Sequence, residues 1–519
     1  MRPTYRRVNG GGKMKIDSAG KCFADMWSDA VATRAHATFL IFETSSGSSR
    51  TWTYSAFDAL VSRAAATLTR LGVRKGDSVN MALTNSPAFV AIWLACTRLG
   101  AWIVPSDPQS RTQELSEHQS RTNSRVGVCS VHREQEFRAA ATSIPVIAID
   151  EDDCELSIFG DEAFSDWPVL DIRDRAAVMF TSGTTGRPKG VEITQANYSF
   201  AGQVMASAAA LSADDRQLVV LPLFHANAQY YSFASAIAVG ASVALMSTFS
   251  ATRFLQQAKL YEATHASLFA APIRMILARG NTPVPGLALK HCWYAMNIAE
   301  HQYAELSDLL SCRPRQLYGM TETIPAVLTD EAKSPRPDSM GYVSPGCILD
   351  VQDAVGRSVG PGEIGEIVVG GTPGITLFAG YLDDPLTTAS SCRDGWFLTG
   401  DRASRDESGR YFFDGRRADV LKVAGENVST VEVEQVLSAH PEILEAAVIG
   451  QPDDIRDEVP VGFVVARNRD TAPTVAALHQ WCEERLAKSK RPRDITYVDE
   501  LPRTSVGKIR KFILKEAQT

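Results

Sequence analysis

Apolar residues recur at helical spacing from Ala56 to Leu71 and stop before Gly72. A short strand-like run, Ser78 to Leu83, comes next. A second apolar helix, Ala88 to Leu99, is closed by Gly100 and followed by the strand-like Ala101 to Pro105. Strand, helix and strand in quick succession predict layered sheets with helices on their faces. The rhythm returns at Val219 to Met246 and at Ala266 to Leu277. Residues Gln217 to Thr252 carry no charge, yet they hold Asn227, Gln229, Gly240 and several serines, which fits buried helix, turn and strand better than a membrane span. From about Ile348 the texture changes to short strands and glycines, as at Gly362 to Gly371 and Gly395 to Asp401. Glu407-Ser408-Gly409 marks a hairpin before Tyr411-Phe412-Phe413. Beyond Gly415 a compact α+β pattern begins. Ser429 and Glu432 have capping-box spacing, predicting a helix from Thr430 to Ala439 before Pro441. Strands at Ala446 to Ile449 and Val461 to Val465, a helix from Thr474 to Ala487, a last strand and a short basic helix complete it.

Composition narrows the class. The 519 residues are 45% hydrophobic and 22% charged, which is globular and neither disordered nor fibrous. The net charge of −7 argues against a broad nucleic-acid or anionic-membrane surface. That total conceals a basic end, since residues 485–515 hold ten basic and three acidic side chains. None of the nine cysteines has CxxC spacing, so no zinc ribbon or redox dithiol is visible, and scattered thiols fit a cytoplasmic protein. The opening MRPTYRRVNGGGKM is basic and lacks an apolar core, so it is not read as a secretory signal, and Met14 is an alternative start.

The strongest chemical signal is Thr181-Ser182-Gly183-Thr184-Thr185-Gly186-Arg187-Pro188-Lys189-Gly190, after the apolar Ala176 to Phe180. Glycines turn backbone N–H groups toward a ligand, hydroxyls add donors and the lysine adds charge, a combination suited to phosphate oxygens. No G-K-[ST] triplet is present, so this is not a Walker A loop. The following Val191-Glu192-Ile193-Thr194 reads as strand, so the loop is expected to join two strands without a helix dipole. Further along stand Tyr318-Gly319-Met320-Thr321-Glu322-Thr323, Gly395-Trp396-Phe397-Leu398-Thr399-Gly400-Asp401, Gly415-Arg416, and Leu501-Pro502-Arg503-Thr504 with Gly507-Lys508-Ile509.

In this order the five segments resemble the motifs of the adenylate-forming superfamily, which includes acyl-CoA ligases, peptide-synthetase adenylation domains and luciferases. The likeness covers residues from about 25 to 515. It implies an α/β fold: a large N-terminal domain of layered αβ sheets plus a β-barrel-like subdomain, residues 1–416, and a small mobile α+β C-terminal domain, residues 417–519, with a hinge near 416–418. By resemblance Thr181, Ser182, Gly183, Thr184, Thr185, Gly186 and Lys189 hold phosphates. Tyr318 and Gly319 belong to the second nucleotide motif. Thr321 meets the α-phosphate, and Glu322 meets Mg²⁺, a metal that favours hard oxygen. Asp401 accepts the ribose hydroxyls, and Arg416 meets the sugar. Lys508 bridges the reacting carboxylate and the α-phosphate, where a cation neutralises crowded negative charge.

His225, in Leu221-Pro222-Leu223-Phe224-His225-Ala226-Asn227, stands where acyl-CoA ligases line the acyl pocket and gate CoA. Amino-acid-activating relatives place an aspartate there, so an α-amino acid is disfavoured. Gly425-Glu426-Asn427-Val428-Ser429, His440-Pro441-Glu442-Ile443 and Ile455-Arg456-Asp457-Glu458 look most like the crotonobetaine/carnitine-CoA ligase group, in which Gly425 lets the pantetheine arm pass. One departure is Ala418, where many relatives carry Asp or Lys. The implied function is an acid:CoA ligase that uses ATP, Mg²⁺ and CoA to activate a small-molecule carboxylic acid, without nucleic-acid or membrane partners; a homodimer is left open. Two readings of the acid stay open: a trimethylammonium compound held by a cage of Tyr230, Tyr231 and Tyr294, or a bulky or fatty acid beside Ala226, Ala228 and Ala295. The rivals are a ligase with one impaired half-reaction at Ala418, a luciferase-like oxygenase, a peptide-synthetase unit and a non-catalytic nucleotide-binding protein.

Overall fold

The computed structural model describes residues 16, 20–141, 143–181, 188–296, 298–416, 420–423, 426–453, 456–503 and 509–516. Two large sheets carry most of the chain up to Tyr381. The nine-stranded sheet has a parallel centre formed by Arg315–Tyr318, His291–Ala295, His265–Phe269, Arg216–Val219, Ser242–Met246 and Thr38–Glu43. The seven-stranded sheet is parallel through Arg175–Thr181, Trp102–Pro105, Ser78–Ala82, Val126–Ser130 and Val146–Ile149. Lys189–Thr194 and then Gly380–Tyr381 extend it antiparallel at one edge.

Helices Pro87–Leu99 and Gln195–Ala209 are buried on nearly every side; the first is almost wholly apolar, and the second buries Gln195, Asn197 and Ser199 with hydrogen-bond partners. They belong to one core with Trp27, Phe39, Phe57 and Phe233. Gly100 ends the first helix in the left-handed region at φ 67°, the conformation its helix-stop reading requires. Gly202 is needed for contact: a Cβ there would lie 2.5 Å from the Ala234 carbonyl oxygen. The charge-free stretch forms strand Arg216–Val219, a π-helix Asn227–Ala234, helix Ser235–Val239 and strand Ser242–Met246. No helix among the described residues is long and apolar enough to cross a membrane.

The part read as barrel-like is built on a five-stranded antiparallel sheet of Ile348–Gln352, Ile364–Gly370, Trp396–Arg405, Cys392–Arg393 and Tyr411–Arg416. From Val420 onward the strands form a separate sheet around the long hairpin Ile443–Asp453 and Asp457–Ala466. Its own apolar clusters, one with Val433, Leu437 and Leu478 and one with Ile449, Phe463 and Leu514, are distinct from the main core. Helix Val475–Glu483 is shorter than its apolar pattern predicts, while Thr474 caps its start. The capping box read at Ser429 does not form. The Ser429 hydroxyl donates to the Asp414 carbonyl at 3.1 Å instead, and Glu432 pairs with Lys490 at 2.7 Å.

Candidate active site

The phosphate-loop reading places two strands around the loop, and the structure has them: Thr181 pairs with Lys189 across an antiparallel ladder. Ser182, Gly183, Thr184, Thr185 and Gly186 lie outside the described residues, as do Ala418, Gly425 and Lys508. Helix Thr112–Thr122 fastens both flanks of the loop. Its His118 stacks on Phe180 with ring centroids 4.0 Å apart, and Arg121 donates to the Pro188 carbonyl at 2.6 Å. His118 Nδ1 is 2.8 Å from Ser106 Oγ, and burial pushes its pKa down to about 4, so it stands neutral at ordinary pH.

Strand Arg315–Tyr318 leads into a single 3₁₀ turn, Thr321–Thr323. Thr321 opens that turn and is half-buried. The Thr323 hydroxyl pins it, accepting from the Met320 amide at 3.0 Å. Ile324 then takes φ 73° and ψ −79° while fully buried. A β-branched residue in that region is strained by on the order of 1–3 kcal/mol, a cost usually confined to functional segments. Gly319 allows the close packing before the turn, since a Cβ would lie 2.9 Å from Ala326 Cα and 3.2 Å from the Tyr231 hydroxyl.

Glu322 is only 5% exposed. Its Oε1 accepts from the Tyr381 hydroxyl at 3.0 Å. Lys189 Nζ stands 4.8 Å from the centroid of the same Tyr381 ring, so the tyrosine links the lysine at the end of the glycine-rich motif to the acidic turn. Burial, and then the charge of Glu322, hold the Tyr381 phenol above its usual range, so it remains a donor. Tyr381 was missed from the sequence; a lone Gly-Tyr pair before an apolar residue gives no sign of a contact reaching back to Glu322.

Asp401 is also 5% exposed. Its Oδ2 accepts from the Tyr318 hydroxyl at 2.8 Å and its Oδ1 from Arg416 Nε at 3.1 Å. Asp401 and Arg416 face each other in neighbouring strands, and Gly400, at φ 74°, makes the bend before the carboxylate. His225 lies just before the π-helix, its ring against Phe224 with centroids 4.2 Å apart and its carbonyl accepting from the Gln229 amide at 3.5 Å.

The three-tyrosine cage does not form. Tyr230 and Tyr231 pack in the main core, but Tyr294 lies on the other face of the nine-stranded sheet, beside Tyr303. The alternation of strand His291–Ala295 sends Trp293 to the main core and Tyr294 away from it.

Among the described residues no three His, Cys, Asp or Glu side chains converge as a metal site. Glu322, with the Thr321 hydroxyl beside it in the chain, fits Mg²⁺ in another way, since that ion is commonly bound by one or two carboxylates together with substrate phosphates.

These features define a nucleotide-handling enzyme with a separate small domain, and the comparisons agree. Residues 27–382 match the family described as AMP-binding enzyme, and residues 432–508 match its C-terminal domain. The chain belongs to this family. It is 34% identical to the crotonobetaine/carnitine–CoA ligase of Salmonella arizonae over 515 residues, covering 96% of this chain and 99% of the relative. An ATP-bound RpMatB-BxBclM chimera superposes with a TM-score of 0.86 at 25% identity, covering 95% of this chain and 98% of the other. Apo MatB from Rhodopseudomonas palustris gives 0.78 at the same identity and coverage.

Proposed function

We infer that the protein is an acid:CoA ligase working in two steps. In the first, an oxygen of the substrate carboxylate attacks the α-phosphorus of ATP. The bond to the β-phosphate oxygen breaks, giving an acyl-adenylate and pyrophosphate. In the second, the CoA thiol gives up its proton to solvent, with His225 as the candidate to assist, and attacks the acyl carbon, forming the thioester as AMP leaves. The observation that carries this reading is that Tyr381 joins Lys189 to Glu322, while Tyr318, four residues before Glu322 in the chain, bonds Asp401.

In this reading Thr181 and Lys189 flank the phosphates, and Thr321 meets the α-phosphate. Asp401 holds the ribose and Arg416 the sugar edge. Glu322 and Thr321 would hold Mg²⁺, which supplies charge neutralisation on the phosphates. Lys508 neutralises the reacting oxygens, Gly425 makes room for the pantetheine arm, and His225 lines the acyl pocket near the thiol. Residues 1–416 and 417–519 act as the two domains, and the cytoplasm is the place of action. The closer fit to the ATP-bound chimera than to apo MatB supports reading the present arrangement as the adenylating one. The relatives' name puts crotonobetaine and carnitine on the list of acids to try. The separation of Tyr294 from Tyr230 and Tyr231 removes the cage that favoured them, and leaves the bulky or fatty acid as the preferred class.

The test is mass spectrometry of the protein with ATP, Mg²⁺, CoA and a panel of fatty, aromatic and betaine acids, scoring acyl-AMP and acyl-CoA separately. Both products should form with at least one acid. Lys508→Ala should lose the adenylate while still converting supplied acyl-AMP. Adenylate without thioester would favour the impaired-ligase reading, and neither product across the panel would sink the ligase assignment.

A further inference from the structure

We propose that Arg274 is a positioning residue for adenylation, clamping Arg503, which precedes the lysine-bearing residues 504–508, to the large domain through Glu445. The proposal rests on the two-step reading above. Arg274 lies on helix Ala270–Ala278, which leaves the C-terminal end of strand His265–Phe269. That strand runs parallel to His291–Ala295, which runs parallel to Arg315–Tyr318, so the helix starts at the sheet edge from which Tyr318, Thr321 and Glu322 project.

Glu445 belongs to the other domain, on strand Ile443–Asp453, and is 6% exposed. Its Oε2 lies 2.9 Å from Arg274 Nη1, and the same oxygen pairs with Arg503. Arg503 is the first member of an isolated antiparallel bridge to Ile509, and the Arg510 amide donates to the Pro502 carbonyl at 2.7 Å. These two contacts fix the chain on either side of residues 504–508, the segment that ends in Lys508. One buried carboxylate oxygen therefore joins a guanidinium of the large domain to the base of that segment. Two weaker ties flank it: Gln302 Nε2 donates to the Leu444 carbonyl at 3.0 Å, and Arg467 Nη1 lies 3.1 Å from Glu305 Oε2.

The clamp acts in one direction. Arg274 is largely buried, and burial lowers its pKa while Glu445 opposes that shift. If the small domain turns away, Glu445 keeps Arg503 but Arg274 loses its carboxylate. The contact thus favours the present arrangement, and only a contact that differs between arrangements can shift their populations.

The experiment compares Arg274→Ala with the unmodified full-length protein. Glu445 stays paired with Arg503 in the variant, so no buried carboxylate is stranded. ATP–pyrophosphate exchange should fall about tenfold, the scale of a lost charge-assisted hydrogen bond. Conversion of supplied acyl-AMP and CoA to acyl-CoA should hold within about twofold. Arg274→Lys, which keeps the charge, should recover part of the exchange and serves where alanine lowers folded yield. Small-angle X-ray scattering of the nucleotide-free protein should show the alanine variant less compact. Equal losses in both half-reactions, or unchanged exchange with unchanged scattering, would overturn the proposal. The scattering needs no acid substrate. If the unmodified protein makes neither product with any acid, the ligase reading fails while the clamp is still judged on domain arrangement.

Discussion

Glu322 and Asp401 are equally buried, and each accepts a hydrogen bond from a tyrosine hydroxyl, Tyr381 for the first and Tyr318 for the second. Their surroundings diverge from there. Tyr381 comes from the edge of the seven-stranded sheet, next to the strand that starts with Lys189, while Glu322 follows the end of a strand of the nine-stranded sheet. Glu322 therefore sits across the seam of two sheets of the same large domain. Asp401 has a second partner in Arg416, the last described residue before the small domain's sheet begins at Val420. One carboxylate is framed by the two sheets of the large domain, and the other is bonded to Arg416, where the covalent path between domains begins. A frame-bound acid should matter in one half-reaction, and an acid on the path should be felt in both.

The largest effect should come from Glu322→Gln. Removing the carboxylate proposed to hold Mg²⁺ should cost about 10²- to 10³-fold in ATP–pyrophosphate exchange. The conversion of supplied acyl-AMP to acyl-CoA should be spared. Asp401→Asn should lower exchange less and should slow both half-reactions, because it also releases Arg416. Identical profiles for the two variants would erase the distinction. Chelation sharpens the same point: EDTA should abolish the ATP-dependent step yet leave the melting temperature of nucleotide-free protein unchanged, since no three-ligand cluster exists among the described residues.

The tyrosines should give the next largest effects. Tyr381→Phe and Tyr318→Phe each leave a buried carboxylate short of one donor, a loss of about 1.5–3 kcal/mol or roughly ten- to hundredfold. Tyr381→Phe should act on the turnover number of adenylation alone. Tyr318→Phe should appear both in the ATP KM and in thioester formation. Steady-state kinetics on each half-reaction separates the two outcomes.

Much of this frame is legible in the chain. The strand on either side of the glycine-rich motif, the helix closed by Gly100 and the hairpin at Gly409 follow from local rules, and all are present. Motif and spacing mark Thr321, Glu322, Asp401 and Arg416 as candidates, and the structure adds Tyr381 bonded to Glu322 and Tyr318 bonded to Asp401. Tyr381 escaped because its role depends on a strand pairing with Val191 that no local pattern encodes. The Tyr294 error has a different cause. Strand alternation separates Trp293 from Tyr294, but which of the two faces the π-helix is set by how the layers stack. The π-helix itself, Asn227–Ala234, has the same apolar texture as an α-helix.

The smallest predicted effect tests the junction between the two regions. Ser429 precedes helix Thr430–Ser438, and a capping serine replaced by alanine costs about 1 kcal/mol. Here the hydroxyl donates to the carbonyl of Asp414, two residues before Arg416 on the large domain's last strand, and Glu432 is engaged with Lys490. Ser429→Ala should therefore change the stability of the small domain by less than about 0.5 kcal/mol in chemical denaturation, because the helix end loses no partner. The lost bond ties the domains at the same place where Arg416 ties Asp401. The ratio of thioester formation to adenylation should accordingly move by about threefold, the lower range for one neutral hydrogen bond. A full cap-sized loss of stability with an unmoved ratio would return Ser429 to the helix and leave the Asp401–Arg416 pair to account for any coupling to the hinge.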